Sequence, residues 1–275
     1  MCPRFTQFVR TFSIGIALSL STLHQQPSLA MQFSFKYLTS GPQQGEINGI
    51  KMDGTIEPGD YERLVGFVRS APFDFMAVGN VYLDSNGGSV AEALKIARLV
   101  KSMYKRALVS RSSICLSSCF YIYAAAVERA VNPTMAKVGI HRPYYPAAEF
   151  ARLSPAQAEM RYAALDADVR AWLTVVSVPG RYIEKMFSVS SKEMYMLNEN
   201  DLLEIGDAAW YEELTIATCG PEPTKLRKYK SREAFRQDFE FYFNAREDCM
   251  ANATRGDRAK VMDDILGGSS WRNRK

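Results

Sequence analysis

Histidine is nearly missing from this chain. Of 275 residues only His24 and His141 carry an imidazole, and tryptophan occurs three times. No internal repeat or coiled-coil heptad runs through the sequence, which sets aside solenoid and fibrous architectures. Charge of one sign is also lacking: the formal net charge is +4, and the basic residues are dispersed until the last few positions. That gives no electrostatic footprint for nucleic acid as a partner. No apolar run reaches the roughly 20 residues that a membrane-spanning helix needs. What remains is 47% hydrophobic, 12% aromatic and 23% charged. Such a composition excludes a disordered or collagen-like chain and supplies a sizeable core.

Residues 1–30 read as an address. Arg4 and Arg10 form a basic start without an acid, Phe12 to Leu23 is a short apolar run, and Ser28-Leu29-Ala30 offers small residues to a signal peptidase. This is the layout of a secretory signal peptide, with cleavage expected after Ala30 and an exported, periplasmic or secreted, product. A twin-arginine pair is absent, which points to general secretion. Cleavage removes Cys2 and His24. Cys115, Cys119, Cys219 and Cys249 remain, an even count that suggests two disulfides in an oxidising compartment. Four cysteines permit three pairings. Cys219 and Cys249, both in the polar C-terminal third, make a natural pair, leaving Cys115 and Cys119 to each other or as thiols. The Cys115/Cys119 spacing also resembles half a zinc site, but one histidine in the mature chain leaves the other half unfilled, and no metal or cofactor is expected.

Hydrophobic spacing predicts the order of elements. Gln32 to Leu38 is a short apolar segment, and Ile47, Gly49 and Met52 suggest a strand ending at the Asp53-Gly54 turn. Residues 57–70 are helical by the spacing of Tyr61, Leu64, Val65 and Val68. Ala77 to Leu83 reads as a strand. After Gly87-Gly88, Ser89-Val90-Ala91-Glu92 reads as a capping box that opens a helix carrying Leu94, Ala97, Val100 and Met103. Ala107 to Val109, Ala130-Val131 and Val138 to Ile140 read as strands, and Phe120 to Ala126 as a central buried helix. Ser154-Pro155-Ala156-Gln157 opens a long helix with the stripe Tyr162, Leu165, Val169, Trp172 and Val176. The alternation indicates an α/β domain over 31–215 with βαβ crossovers. Beyond it, 216–275 reads as a helical extension tied back by a disulfide. It holds the basic run Lys225 to Lys230, a helix bearing Phe235, Phe239, Tyr242 and Phe243, and a basic tail.

Three segments carry the chemistry. Asp84-Ser85-Asn86-Gly87-Gly88-Ser89 lets backbone amides approach a substrate, where they could hold an oxyanion or a phosphate. Cys115-Leu116-Ser117-Ser118-Cys119-Phe120 puts two serines at the start of the buried helix, where they serve either as caps or as a nucleophile. Ile140-His141-Arg142-Pro143 places the sole mature imidazole at a strand end, the usual position of catalytic groups in α/β enzymes.

In this order and spacing the segments resemble the ClpP/crotonase superfamily, and within it the serine peptidases related to the ClpP proteolytic subunit. The Gly-Gly unit resembles that family's Ser-Pro-Gly-Gly with Asn86 in place of proline, His141-Arg142-Pro143 its His-X-Pro, and Glu204-Ile205-Gly206 its closing motif. The resemblance spans about residues 45–215. It implies a spiral of repeated ββα units, Ser117 as nucleophile with Ser118 as its rival, and His141 as general base. The amides of Gly88 and Ser118 would form an oxyanion hole shaped by Gly87. It also implies a peptide or unfolded polypeptide as substrate, and assembly into a homo-oligomer through the helix of 154–178. One position departs: Ser190 falls where the family has its aspartate. Glu193, one helical turn on, is the candidate third member, and Lys185 or Lys192 offers a Ser–Lys variant. Three competitors follow: a binding or assembly module with a decayed site, an acyl-CoA enzyme of crotonase type, and a Cys119 thiolate nucleophile.

Overall fold

The computed structural model describes residues 30–132, 135–145, 150–206, 208–221 and 232–273. Residues 1–29, which fall in the expected signal peptide, the basic run 225–230, the side chains of Phe235 and Phe239, and the last two residues of the basic tail lie outside the described residues.

The architecture is mixed α/β. Strand β1 (Gln32–Tyr37) pairs antiparallel with β2 (Ile47–Asp53), and β2 then runs parallel to β3 (Asn80–Asp84), β3 to β4 (Arg106–Val109) and β4 to β6 (Arg129–Val131). Parallel pairing requires crossovers. Helices α1 (Asp60–Ser70) and α2 (Pro72–Ala77) join β2 to β3, and α3 (Val90–Ser102) joins β3 to β4. Leu64 and Val68 of α1 and Ile96, Ala97 and Val100 of α3 are buried with Ile50, Met52, Val81 and Leu83 of the strands. The pleat puts those four strand residues on one face.

A second sheet holds β5 (Ile114–Leu116), β7 (Lys137–Ile140) and β8 (Tyr195–Met196), with β5 parallel to β7 and β8 antiparallel to β7. The sheets are laced at Ser85 and Asp84: the Ser85 amide donates to the Ile114 carbonyl at 2.8 Å, the Leu116 amide donates to the Ser85 carbonyl at 3.0 Å, and the Ile114 amide donates to the Asp84 carboxylate at 3.1 Å. Between β5 and β6 lies α4 (Cys119–Ala125), every residue of which is buried. That matches a segment apolar around its whole circumference.

Helix α5 (Pro155–Val175) starts at a complete capping box, Ser154 accepting from the Gln157 amide and Gln157 from the Ser154 amide, with Pro155 in the first turn. Leu165, Val169 and Trp172 are buried, while Tyr162 is exposed and stacks on Phe150. Helices α6 (Gly180–Ser188), α7 (Glu199–Ile205) and α8 (Ala209–Cys219) follow, then α9 (Arg232–Ala253) and α10 (Arg255–Leu266). Met262 and Ile265 of α10, with Trp271, enter the core cluster, and Arg69 of α1 donates to the Ile265 carbonyl at 2.8 Å.

Arg129 at the start of β6 sits under three helix ends. Its buried guanidinium donates to the carbonyls of Ala124 at the end of α4, Val176 after α5, and Ile205 at the end of α7. Helix C-termini leave carbonyls without intrahelical partners and carry partial negative charge, so one delocalised cation satisfies all three.

Three expectations are corrected. Ala77 belongs to α2, and the strand begins only at Asn80. The three-residue strand β5 was not expected at all. The Glu92 carboxylate does not fold back on its own helix start, because the Ser89 amide is already bonded to the Ile56 carbonyl at 2.7 Å. It accepts instead from the Tyr61 amide at 2.9 Å and from Lys95 at 2.8 Å, while the Ser89 hydroxyl still caps α3.

Candidate active site

Between the last residue of β5 and the first of α4 the chain has two residues in which to reverse. Ser117 adopts a left-handed backbone with φ 56°, a conformation that non-glycine residues hold only when their surroundings impose it. Its amide donates to the Gly139 carbonyl on β7 at 2.9 Å, and its side chain is half-buried. Ser118 is fully buried, and its hydroxyl donates to the Gly88 carbonyl at 3.1 Å. Neither serine caps α4, which starts without a side-chain cap. The adjacent serines therefore differ: Ser118 is committed to a structural bond, and Ser117 presents a hydroxyl.

The glycine turn fits against this elbow without spare room. Gly87 has φ 90° and Gly88 φ 143°. A Cβ on Gly87 would lie 2.6 Å from the Leu116 carbonyl oxygen and 2.7 Å from the Ser117 Cβ, and one on Gly88 would lie 2.1 Å from the Ile56 carbonyl oxygen. Ile56 donates to the Gly87 carbonyl at 2.8 Å, and the Gly87 amide donates to the Ser85 hydroxyl at 3.0 Å. Among the described residues, the amides of Gly88 and Ser118 find no acceptor. Two free backbone donors thus occur on residues that the Ser118 hydroxyl ties together. Ser118 is buried, where an unpaired amide is uncommon, whereas Gly88 is exposed, so its amide is open to solvent or to a ligand atom.

His141 follows β7 and is 5% exposed. Leu116 of β5 is level with Gly139 of β7 in a parallel pair, so Ser117 and His141 both leave the same end of adjacent strands. His141 Nδ1 lies 2.9 Å from the Arg142 carbonyl oxygen. A carbonyl only accepts, so Nδ1 bears the proton and the neutral ring keeps its lone pair on Nε2. Burial pushes the imidazole below its ordinary value, and the Arg142 hydrogen bond opposes that in part. The Tyr144 ring packs on it at 5.8 Å between centroids.

The segment expected to carry the third member does reach this strand: the Arg142 amide donates to the Val189 carbonyl at 3.2 Å. Its side chains do not serve the imidazole. Ser190 is exposed, and its hydroxyl accepts from the Lys192 amide at 3.3 Å. Glu193 is exposed, with its amide on the Ser190 carbonyl at 3.0 Å, and its carboxylate has no hydrogen bond or ion pair with a described residue. Lys185 lies over the Tyr195 ring at 4.5 Å. The group that does orient the imidazole, the Arg142 carbonyl, was not anticipated, since any residue would supply one.

Cys115 and Cys119 form a disulfide across the elbow, and Cys219 and Cys249 form another between α8 and α9. Cys119 is therefore no thiolate. Among the described residues, no group of three or more His, Cys, Asp or Glu could hold a metal, and no helix is long and apolar enough to cross a membrane.

No protein-family model matches the chain, and no curated protein matches it. Among solved structures it is similar to a mutant of ClpP1 from Listeria monocytogenes, with 17% sequence identity and a TM-score of 0.39 over 58% of this chain and 85% of that one. At so low a score the likeness carries no weight for the chemistry of the site.

Proposed function

We propose that the protein is an exported serine hydrolase with a ClpP-like spiral fold, acting on peptide bonds through Ser117 and His141. The observation that carries this reading is the left-handed Ser117 beside two acceptor-free amides, those of Gly88 and Ser118. A strand-to-helix elbow presents a hydroxyl while backbone donors wait for the oxyanion.

In this reading Ser117 Oγ attacks the carbonyl carbon of the scissile bond, and His141 Nε2 accepts the hydroxyl proton. The negative charge on the substrate oxygen is held by the Gly88 and Ser118 amides. His141 then passes its proton to the leaving amine, and water repeats the sequence on the acyl-enzyme. The Arg142 carbonyl supplies one half of what a carboxylate gives a triad: it fixes tautomer and ring orientation, but it brings no charge to stabilise imidazolium. Turnover is accordingly slow. Two disulfides suit an oxidising, exported compartment. The substrates are short peptides or unfolded chains, bound extended beside the glycine turn.

The missing carboxylate favours one second reading, a peptide-binding module on the same scaffold whose hydrolytic chemistry has decayed. Labelling by a fluorophosphonate probe separates the two. The hydrolase reading expects labelling of the wild type, with at least about a thousandfold loss in Ser117→Ala and His141→Ala, and a smaller loss in Ser118→Ala, which keeps its amide but loses the hydroxyl bond to Gly88. Equal labelling of the Ser117→Ala variant removes Ser117 as nucleophile. A wild type that binds unfolded peptide but never labels leaves the binding module.

A further inference from the structure

We propose that the Cys115–Cys119 disulfide is a positioning element for the elbow, holding Ser117 left-handed and the Ser118 amide against Gly87-Gly88. The inference rests on the serine-hydrolase reading for its consequence in catalysis, but not for its structural content.

The bond spans only Leu116, Ser117 and Ser118, with a sequence separation of 4. Both of its ends are fixed in the core. Cys115 is fully buried on β5, level with Val138 of β7 and bridged to Ser85, and Cys119 is fully buried at the start of the wholly buried α4. Closing the sulfur–sulfur bond holds the two Cα atoms 5.2 Å apart and so limits how the three intervening residues reverse direction. Ser117 is the residue that bears the unfavourable conformation in that loop.

The remaining anchors on Ser117 are non-covalent, and the disulfide adds the covalent restraint. The Leu116 amide is held by Ser85, the Ser117 amide by Gly139, and the Phe120 amide donates to the Ser117 carbonyl at 3.0 Å. A serine freed to leave the left-handed region would turn the next peptide unit, and with it the Ser118 amide that faces the glycine turn. Global stabilisation is a poor account of this bond. In the chain-entropy picture a disulfide gains with the length of the loop it closes, and the Cys219–Cys249 bond, with a separation of 30, closes a far longer one. The shorter bond gains least from that effect and stands where backbone geometry matters most.

The experiment compares the full-length mature protein with a Cys115→Ala/Cys119→Ala variant, using Cys219→Ala/Cys249→Ala as control. Amide hydrogen exchange read at Leu116, Ser117 and Phe120 should accelerate at least tenfold in the first variant and stay within twofold in the control, with exchange in β3 unchanged in the first variant. Fluorophosphonate kinetics should show the maximal labelling rate falling at least tenfold while the half-saturating probe concentration moves less than threefold, a split that general loosening would not give. If the alanine pair fails to fold, the Cys219→Ala/Cys249→Ala protein held reduced under native conditions, in which only the Cys115–Cys119 bond opens, replaces it. Unchanged exchange at the three amides overturns the inference whatever the labelling shows. Accelerated exchange together with an unreactive wild type leaves the clamp standing and removes the hydrolase reading alone. Accelerated exchange with undiminished labelling overturns the positioning role.

Discussion

Ser117 stands on a turn fixed by a disulfide, a backbone bond to Gly139 and the packing of Gly87, whereas His141 is steered by a single carbonyl oxygen. Both leave adjacent parallel strands at the same end, so the fold treats them alike. The difference lies in what meets them. The nucleophile side is closed by buried, short-range contacts. On the base side, the segment that could have supplied an anion reaches the strand through the Val189 carbonyl and then turns its side chains to solvent. Under the proposed hydrolase reading, such a scaffold holds its nucleophile turn firmly and lacks the charge that would assist proton transfer.

The sharpest way to break the contrast is Gly87→Ala. Its Cβ would lie 2.6 Å from backbone at a φ of 90°, so either the elbow or the glycine turn must move. We expect fluorophosphonate labelling to fall at least about a hundredfold, the scale of losing an oxyanion donor, with roughly 1–3 kcal/mol of stability lost in denaturant unfolding. Labelling at the wild-type rate would show that the nucleophile side is not closed as described. The base side is tested in the opposite direction. Ser190→Asp places a carboxylate on the segment bonded to Arg142, and peptide turnover should rise about ten- to a hundredfold, part of what a triad aspartate contributes. An unchanged rate would mean that position 190 cannot reach the ring. The smallest effect is in pH. A base must be neutral to accept the proton, and burial disfavours the imidazolium, so the acid limb of kcat/KM should fall below the ordinary histidine value of about 6.5. In Ser190→Asp the limb should move upward, because an anion favours the charged ring.

Much of this was legible in the residues. The alternation of apolar strands with capped helices indicated an α/β chain, and Ser154-Pro155-Ala156-Gln157 indicated the start of α5 to the residue. Cys219 and Cys249 read as a natural pair and are bonded, whereas Cys115 and Cys119, open in sequence between a bond and free thiols, prove to be bonded too. What escaped had physical reasons. Strand β5 is three residues long, too short for a period of two to register, and its pairing comes from β7 more than twenty positions away. Ala77 looked like the start of a strand because an apolar run does not say where a short helix ends. Ser117 and Ser118 are chemically identical in sequence, and only burial and the bond to Gly88 separate them. The orientation of His141 rests on a backbone carbonyl, an atom that no side-chain pattern encodes.

Arg129 has a consequence for how the chain is made. Its guanidinium rests on carbonyls at positions 124, 176 and 205, the last lying 76 residues downstream of the arginine itself. Until that downstream stretch arrives, a cation in the interior lacks part of its solvation, a situation costly enough to keep the surrounding elements from settling. Maturation of the upstream sheet therefore waits for nearly the whole α/β portion to be synthesised.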